Sequence, residues 1–445
     1  MTDVLLFNAP VEQPRGSAHA GLHPPLGLGY IAAVLRDAGY SVSARDLNVT
    51  GLNPQLIRRV VSRESPAMVG ISAHTETYPN GLEIADLTEA EAPTAAVVMG
   101  GPHASVTYEQ TAVEPAVDYV VRGEGEYAMR DLASVLVGRD GNDQNELVAE
   151  IEEIPGLVYE SADGNVVATP ERPMIENPDE LPWPARDLFP LELYEKPGNV
   201  LFSRGGCPFS CHFCAVNSIW VDRARRFRDP EAVAQEVEHL LVDHGLRQIN
   251  FADDTFTLRR DAVLELTDRL EAIEAPFPWD WTCSTRVDLV DRELLERLAD
   301  AGCSGIQFGV EAGSQEILDA TGKNITLDQA REAVSGAAAF GMDVLASFMF
   351  PHPDDTESSI RQQAEFMKEI RELGADISIA FTTPYPGTAY AEMTAESDLE
   401  VAADEWNEYD AKHLIMSTRN LSFSELEELF EELVRDVGLK RRVTA

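Results

Sequence analysis

Arg204-Gly205-Gly206-Cys207-Pro208-Phe209-Ser210-Cys211-His212-Phe213-Cys214 is the stretch whose reading decides the rest. It holds three of the five cysteines of the chain, spaced C-x3-C-x2-C. A strand-like run, Asn199 to Ser203, leads into it, an arginine-rich stretch follows, and a helix is predicted from Asp229. Thiolates are soft ligands that suit zinc or iron–sulfur clusters. Four thiolates would close a site, whereas three leave a metal position open. Gly205, Gly206 and Pro208 let the backbone loop around a cluster without side-chain clashes. Phe213, just before the last cysteine, is placed to shield such a cluster from water. The same spacing also permits structural zinc with a distant fourth ligand, for which Cys283, Cys303 and His212 are the candidates.

Composition narrows the classes. At 445 residues the chain is long enough for two or more domains with sizeable cores. With 44% hydrophobic and 25% charged residues it reads as globular. Neither a secretory leader nor an apolar run long enough to span a bilayer is expected. Five cysteines, three of them grouped, do not make a disulfide framework, which favours a reducing cytoplasm. The charge is extreme: 35 basic against 77 acidic residues, a net −42. The acids are dispersed along the chain rather than collected in a tail. Such a surface repels nucleic acid and anionic membrane, so neither is expected as a partner.

The first part of the chain alternates short apolar runs with helical ones. Strands are predicted at Val4–Phe7, Tyr40–Ala44, Met68–Ser72, Ala95–Met99 and Asp118–Val121, with a helix over Leu26–Asp37. That alternation predicts a doubly wound parallel sheet, whose ligands bind at the carboxyl ends of the strands. Ser72 and the pair Gly100-Gly101 fall at that edge. His19, His23 and His103 read as loop or pocket-edge residues. Gly141-Asn142-Asp143 is loop-like, and Ala162-Asp163-Gly164 between two apolar runs signals a hairpin. Six prolines between Pro170 and Pro190 then exclude regular helix, with Trp183 and Phe189 expected to pack this linker against a neighbour.

From Asn199 onward strand–helix units repeat. Strands are predicted at Asn199–Ser203, Gln248–Ala252, Trp279–Thr285, Gly305–Val310, Asp343–Phe350 and Asp376–Phe381. This is a barrel or partial barrel with chemistry at the carboxyl ends of its strands. The cysteine loop, Asp254, Arg286 and Glu311 all fall at that rim. Asp253 and Asp254 could instead cap a helix, and Arg286 could be a surface ion pair. Cys283 and Cys303 read as buried small hydrophobes. Leu421–Leu433 is an acidic amphipathic helix, a packing or lid element.

The cysteine motif resembles the radical S-adenosylmethionine (SAM) signature C-x3-C-x-aromatic-C at every defined position. Phe251-Ala252-Asp253-Asp254-Thr255-Phe256 and Gly309-Val310-Glu311-Ala312-Gly313-Ser314 resemble that family's second- and fourth-strand motifs. Pro384-Tyr385-Pro386-Gly387-Thr388 resembles the loop that closes the core in cobalamin-type members. Pro24-Pro25-Leu26-Gly27-Leu28-Gly29-Tyr30, Gly100-Gly101-Pro102-His103 and Arg122-Gly123-Glu124-Gly125-Glu126 resemble the cobalamin-binding domain of class B members. The first loop lacks the D-x-H-x-x-G motif, so a bound cobalamin would have no histidine ligand from it. Asp46-Leu47-Asn48-Val49-Thr50-Gly51 looks similar but follows the second strand.

The resemblance implies an α/β chain: residues 1–140 a Rossmann- or flavodoxin-like cobalamin-binding domain, 141–195 a hairpin and proline-rich linker, 196–395 a (βα)6-type partial TIM barrel, and 396–445 a helical tail. It implies a [4Fe–4S] cluster on Cys207, Cys211 and Cys214 with SAM on the open iron, and Phe213, Asp254, Arg286, Glu311, Gly313 and Ser314 around them. Cobalamin would lie by Ser72, Gly100 and Gly101, unless this sheet no longer binds it. The implied reaction is reductive cleavage of SAM to a 5′-deoxyadenosyl radical, followed by methylation, cyclisation or oxidation of an unactivated carbon in a small or lipid-like substrate. The electron would come from a donor such as ferredoxin or flavodoxin. A methylthiotransferase shares this domain order, but usually carries cysteines in its first domain, where this chain has none before Cys207. A structural or redox-sensing metal module is the non-enzymatic alternative.

The dispersed acidity fits a salt-rich cytoplasm, where screening removes self-repulsion. The melting temperature is therefore expected to rise from dilute buffer to molar KCl. A salt-insensitive melting curve would oppose this reading.

Overall fold

The computed structural model describes residues 2–11, 23–139, 144–396 and 399–439. His19 and the Gly141-Asn142-Asp143 loop lie outside the described residues. The chain folds as two compact units. The first runs to Pro197 and also takes Val216–Ala224 and Glu405–Asn407; the second takes the rest.

In the first unit, β1 (Val4–Asn8), β2 (Val42–Asp46), β3 (Met68–Ser72), β4 (Ala96–Gly100) and β5 (Tyr119–Val121) pair in parallel in the order β2-β1-β3-β4-β5. The order reverses between β1 and β3, the switch point at which doubly wound sheets open a crevice. Alternate residues of β1 serve opposite faces: Leu5 and Phe7 enter one core, Val4 and Leu6 the other. A sheet buried on both sides needs such continuous apolar runs. The predicted hairpin is present as β6 (Leu157–Glu160) and β7 (Val166–Ala168), and it adds two antiparallel strands beside β5. The proline-rich segment forms three short 3₁₀ turns. Phe189 is buried as expected, but Trp183 remains 40% exposed. Gly29 is required by close approach, since a Cβ there would lie 2.9 Å from the Cβ of Pro184.

The second unit contains β8 (Asn199–Val200), β9 (Ser203–Gly205), β10 (Arg225–Phe227), β11 (Gln248–Phe251), β12 (Asp280–Arg286), β13 (Cys303–Glu311), β14 (Asp343–Phe350) and β15 (Ala375–Phe381). Six of them form a parallel sheet in the order β15-β14-β13-β12-β11-β8, while β9 and β10 make a separate antiparallel ribbon. The single predicted strand Asn199–Ser203 is thus two short ones. The helix Pro230–Val242 begins at Asp229, whose carboxylate accepts from the amides of Glu231 and Ala232.

Strand residues alternate between the two faces of this sheet with the period of two that strands impose. Ile249, Phe251, Trp281, Cys283, Ile306, Phe308, Val344 and Ala346 are buried in one core with the helices. Asn250, Thr282, Ser284, Gln307 and Ser347 are on the other face and retain exposure. That face is polar: Thr282 donates to Asn250 at 2.9 Å and Gln307 to Ser347 at 2.9 Å. The C-terminal helix, Phe423–Val437, buries Leu426, Leu429, Leu433 and Val437 in the same core and is a packing element.

Trp281 is fully buried, meets the rings of Phe251 and Phe256, and donates from Nε1 to the Ala301 carbonyl at 2.7 Å. Trp281→Ala is expected to cost the second unit about 3–5 kcal/mol. Urea unfolding measures it, and a loss below about 1 kcal/mol would show that this cluster does not hold the sheet together.

Candidate active site

The cysteine loop starts where β9 ends, with Gly205 at φ +114°, a left-handed turn that glycine permits. Its base is fixed by Asp253. This buried carboxylate accepts from the amides of Phe202 at 2.9 Å and Ser203 at 2.7 Å, and from the Ser203 hydroxyl. Burial pushes the Asp253 carboxyl up and Arg225, 3.8 Å away, opposes that. Asp253 therefore caps no helix; it ties the strand before the loop to the end of β11. Asp254 is more exposed and accepts from Arg225 at 2.9 Å. Arg225 also bonds the carbonyl of Gly205, so Asp254 stands beside the first turn of the loop.

Farther along, the loop is bonded to the turn after the helix Gln315–Ala320. The His212 amide donates to the Thr321 carbonyl at 2.8 Å and its Nδ1 to the Ala320 carbonyl at 3.0 Å. Arg286, the last residue of β12, is buried rather than on the surface. It forms a two-pronged pair with Asp288, donates to the Lys323 carbonyl, lies over the Phe209 ring at 3.7 Å, and has Nη1 3.7 Å from Cys211 Sγ. Burial pushes the Cys211 thiol up, while Lys323 and Arg286 favour its thiolate.

Glu311 ends β13 after a bulge, with φ +70°. Its Oε1 takes a hydrogen bond from Lys323 Nζ at 2.5 Å, and the same ammonium reaches the Gly309 carbonyl. A Cβ at Gly309 would lie 2.4 Å from Glu311 Oε1, so glycine there makes room for the pair. Phe213 meets the Tyr390 ring at 6.3 Å. Gly313 faces the helix Glu357–Glu372: its amide donates to Gln363, and a Cβ would lie 2.5 Å from Gln363 Cα. Ser314 is buried next to it. The structure thus gathers Cys211, Arg286 and Glu311, places Asp254 at the loop base and Phe213 at its far end, and gives Gly313 to packing.

None of the proposed fourth zinc ligands is available. Cys283 and Cys303 are buried in the hydrophobic core, Cys303 at the opposite, starting end of β13. His212 is held against the Ala320–Gly322 turn, where a Cβ on Gly322 would lie 2.8 Å from its Nε2. These placements disfavour the three as a fourth zinc ligand.

In the first unit, Ser72 and Gly100 end β3 and β4. Gly101 has φ +96°, and a Cβ there would lie 2.7 Å from the Ala73 carbonyl oxygen and 3.0 Å from Ser72 Oγ. The three residues therefore meet at the carboxyl edge of the sheet. Next to them His103 is buried, with Nδ1 3.2 Å from Thr75 Oγ1 and its ring between Tyr78, at 4.3 Å, and Trp406, at 4.9 Å. Asp46 of the look-alike motif is occupied structurally, accepting from Asn8, the Asn48 amide and Tyr194.

Comparison with known proteins agrees with this layout. Residues 203–367 match the Radical SAM superfamily and residues 16–133 the B12 binding domain. An uncharacterized methyltransferase of Pyrococcus horikoshii is 32% identical over 99% of this chain and 93% of its own length. The chain belongs to the radical SAM enzymes that carry a cobalamin-binding domain. This radical SAM chain is also 29% identical to the anaerobic magnesium-protoporphyrin IX monomethyl ester cyclase of Rubrivivax gelatinosus, over 95% of this chain and 75% of the relative. Its fold is that of the radical SAM methyltransferase TsrM from Kitasatospora setae, with TM-score 0.76, 18% identity, and 98% and 89% of the two chains covered.

The donor set of this radical SAM chain fits an iron–sulfur cluster in kind. Cys207, Cys211 and Cys214 are partly accessible thiols on one anchored loop, and Cys211 lies beside the cations Arg286 and Lys323. Among the described residues no three His, Cys, Asp or Glu side chains are gathered as a ready-made site for a single ion, so the fit rests on donor chemistry. Lys323, Arg225, His352 and Tyr390 escaped the reading of the sequence. Only Lys323 left a signal, as one of five lysines among 35 basic residues.

Burial pushes the His103 imidazole down to about 4. Its ordinary value is about 6.5, so the unfolded chain binds the proton more readily. The stability His103 contributes is complete above about pH 6.5 and is lost as the pH falls toward about 4. The urea midpoint of the wild type should therefore fall more steeply across that window than that of His103→Gln. Parallel pH profiles would contradict this.

Proposed function

We propose that Cys207, Cys211 and Cys214 hold a [4Fe–4S] cluster, that SAM docks on its open iron, and that cobalamin lies at the Ser72–Gly100–Gly101 edge of the first unit. When bound, the cluster supplies one electron to cleave SAM and the cobalamin supplies methyl-transfer chemistry. The protein's share is binding, orientation and exclusion of water. Arg286 braces the loop from Phe209 and favours the thiolate of Cys211. Lys323 fixes the carboxylate of Glu311, which together with Asp254 meets polar groups of SAM. Phe213 shields the far side of the loop. The partly exposed polar face of the second sheet, with Gln307 and Ser347, receives a small-molecule substrate.

The observation that carries this reading is three thiols on one anchored loop with Arg286 3.7 Å from Cys211 Sγ. Methylation of an unactivated carbon is the favoured outcome, since the Pyrococcus horikoshii relative spans nearly the whole chain and is described as a methyltransferase. Ring formation is the second outcome, supported by the similarity to the Rubrivivax gelatinosus cyclase. A methylthiotransferase is disfavoured by the lack of cysteine before Cys207. A flavodoxin- or ferredoxin-like electron donor and a salt-rich cytoplasm complete the proposal; no described helix is long and apolar enough to cross a membrane.

Anaerobic reconstitution with iron, sulfide and cobalamin, followed by spectra and a SAM-cleavage assay, tests it. Wild type should cleave SAM and Cys211→Ala should fall to background. Undiminished cleavage in the variant would overturn the ligand assignment. A wild type that takes up iron and sulfide yet never cleaves SAM would be a sensor.

A further inference from the structure

Two buried polar side chains take no part in the scheme above. His352 follows β14 and is 1% exposed; Tyr390 lies in the helix Ala389–Glu396 and is 2% exposed. They bond to each other, His352 Nδ1 to the Tyr390 hydroxyl at 3.0 Å. His352 Nε2 lies 3.2 Å from the Glu311 carbonyl oxygen. A carbonyl only accepts, so Nε2 carries the hydrogen and Nδ1 is left to accept from tyrosine. The tautomer is thereby fixed.

Both ends of the pair reach the groups that matter. The Tyr390 amide donates to the His212 carbonyl at 3.2 Å, and its ring meets Phe213. His212 and Phe213 lie between Cys211 and Cys214. At the other end Glu311 has a positive φ, a conformation costly for a non-glycine residue that persists only where its surroundings hold it. Lys323 holds its side chain and His352 its carbonyl. A continuous path therefore runs from the cysteine loop through Tyr390 and His352 to Glu311. Packing alone would be served by phenylalanine at both positions, without burying polar groups that must be matched.

We infer that Tyr390 and His352 are positioning residues that fix the cysteine loop relative to Glu311, and so set the site in which SAM is held. The part concerning SAM rests on the function proposed above; the tether does not. Two measurements separate them. In the cofactor-free protein, Tyr390→Phe and His352→Gln should raise the rate at which iodoacetamide alkylates the loop cysteines by about threefold to tenfold, the range spanned by one neutral hydrogen bond. Unchanged rates in both variants would overturn the tether. In the anaerobically reconstituted protein, Tyr390→Phe should keep its iron and sulfide content, bind SAM more weakly by a similar factor, and show an altered electron paramagnetic resonance spectrum of the reduced cluster with SAM. A wild-type SAM affinity and spectrum in both variants would refute the link to Glu311. Faster alkylation in the variants of a wild type that binds no SAM would uphold the tether and remove the SAM reading.

Discussion

A single buried carboxylate underlies the arrangement of the second unit. Placing an ionisable group inside a protein is costly unless its hydrogen bonds are replaced. Asp253 meets that condition by accepting from two consecutive backbone amides and a hydroxyl, with Arg225 close by. Those amides belong to Phe202 and Ser203, the residues that lead into the cysteine loop. The carboxylate thus converts a two-residue edge strand, too short to hold a loop by its own ladder, into a fixed point. Arg225 extends the same network to Gly205 and Asp254. The first cysteine stands two residues beyond Gly205.

From that fixed point the loop is secured in stages by different strands. The end of β12 supplies Arg286, the turn before Lys323 receives His212, and Glu311 at the end of β13 is linked to the loop through His352 and Tyr390. The contacts are short polar ones between groups separated by tens of residues in sequence. Such a design holds the three cysteines of the C-x3-C-x2-C motif on one fixed loop. The loop gains its rigidity from the barrel, so the sulfur atoms need not be consumed in holding the loop together. The first unit follows the same rule at its own edge, where the turns after β3 and β4 approach so closely that only glycine fits at Gly101.

Much of this was legible from local pattern. The apolar runs that must be buried on both faces marked the strands of the first sheet, and Asp229-Pro230 marked a helix start. The grouping of Cys207, Cys211 and Cys214 stood out because metal chemistry restricts residue type and spacing to within a few positions. Arg286 and Glu311 were placed at the strand ends because each terminates an apolar run with a charge. The roles of the neighbouring pair Asp253 and Asp254 were not separable in that way. Both lie beyond the last residue of β11, and only the fold shows that Asp253 turns to the Phe202 and Ser203 amides while Asp254 meets Arg225.

The sequence by itself determined the α/β architecture, the order of its two sheets and the close grouping of three cysteines, because each follows from periodicity or from spacing along the chain. Only the tertiary structure decided which buried polar groups brace the loop. His352 and Tyr390 carry no local signature, and Lys323 only its rarity, since a hydrogen bond needs its two partners within about 3 Å in space and places no condition on their separation in sequence. For the same reason only the fold could show that Gly313 is a packing contact, whereas the burial of Cys283 and Cys303 agrees with their reading from sequence as small hydrophobes.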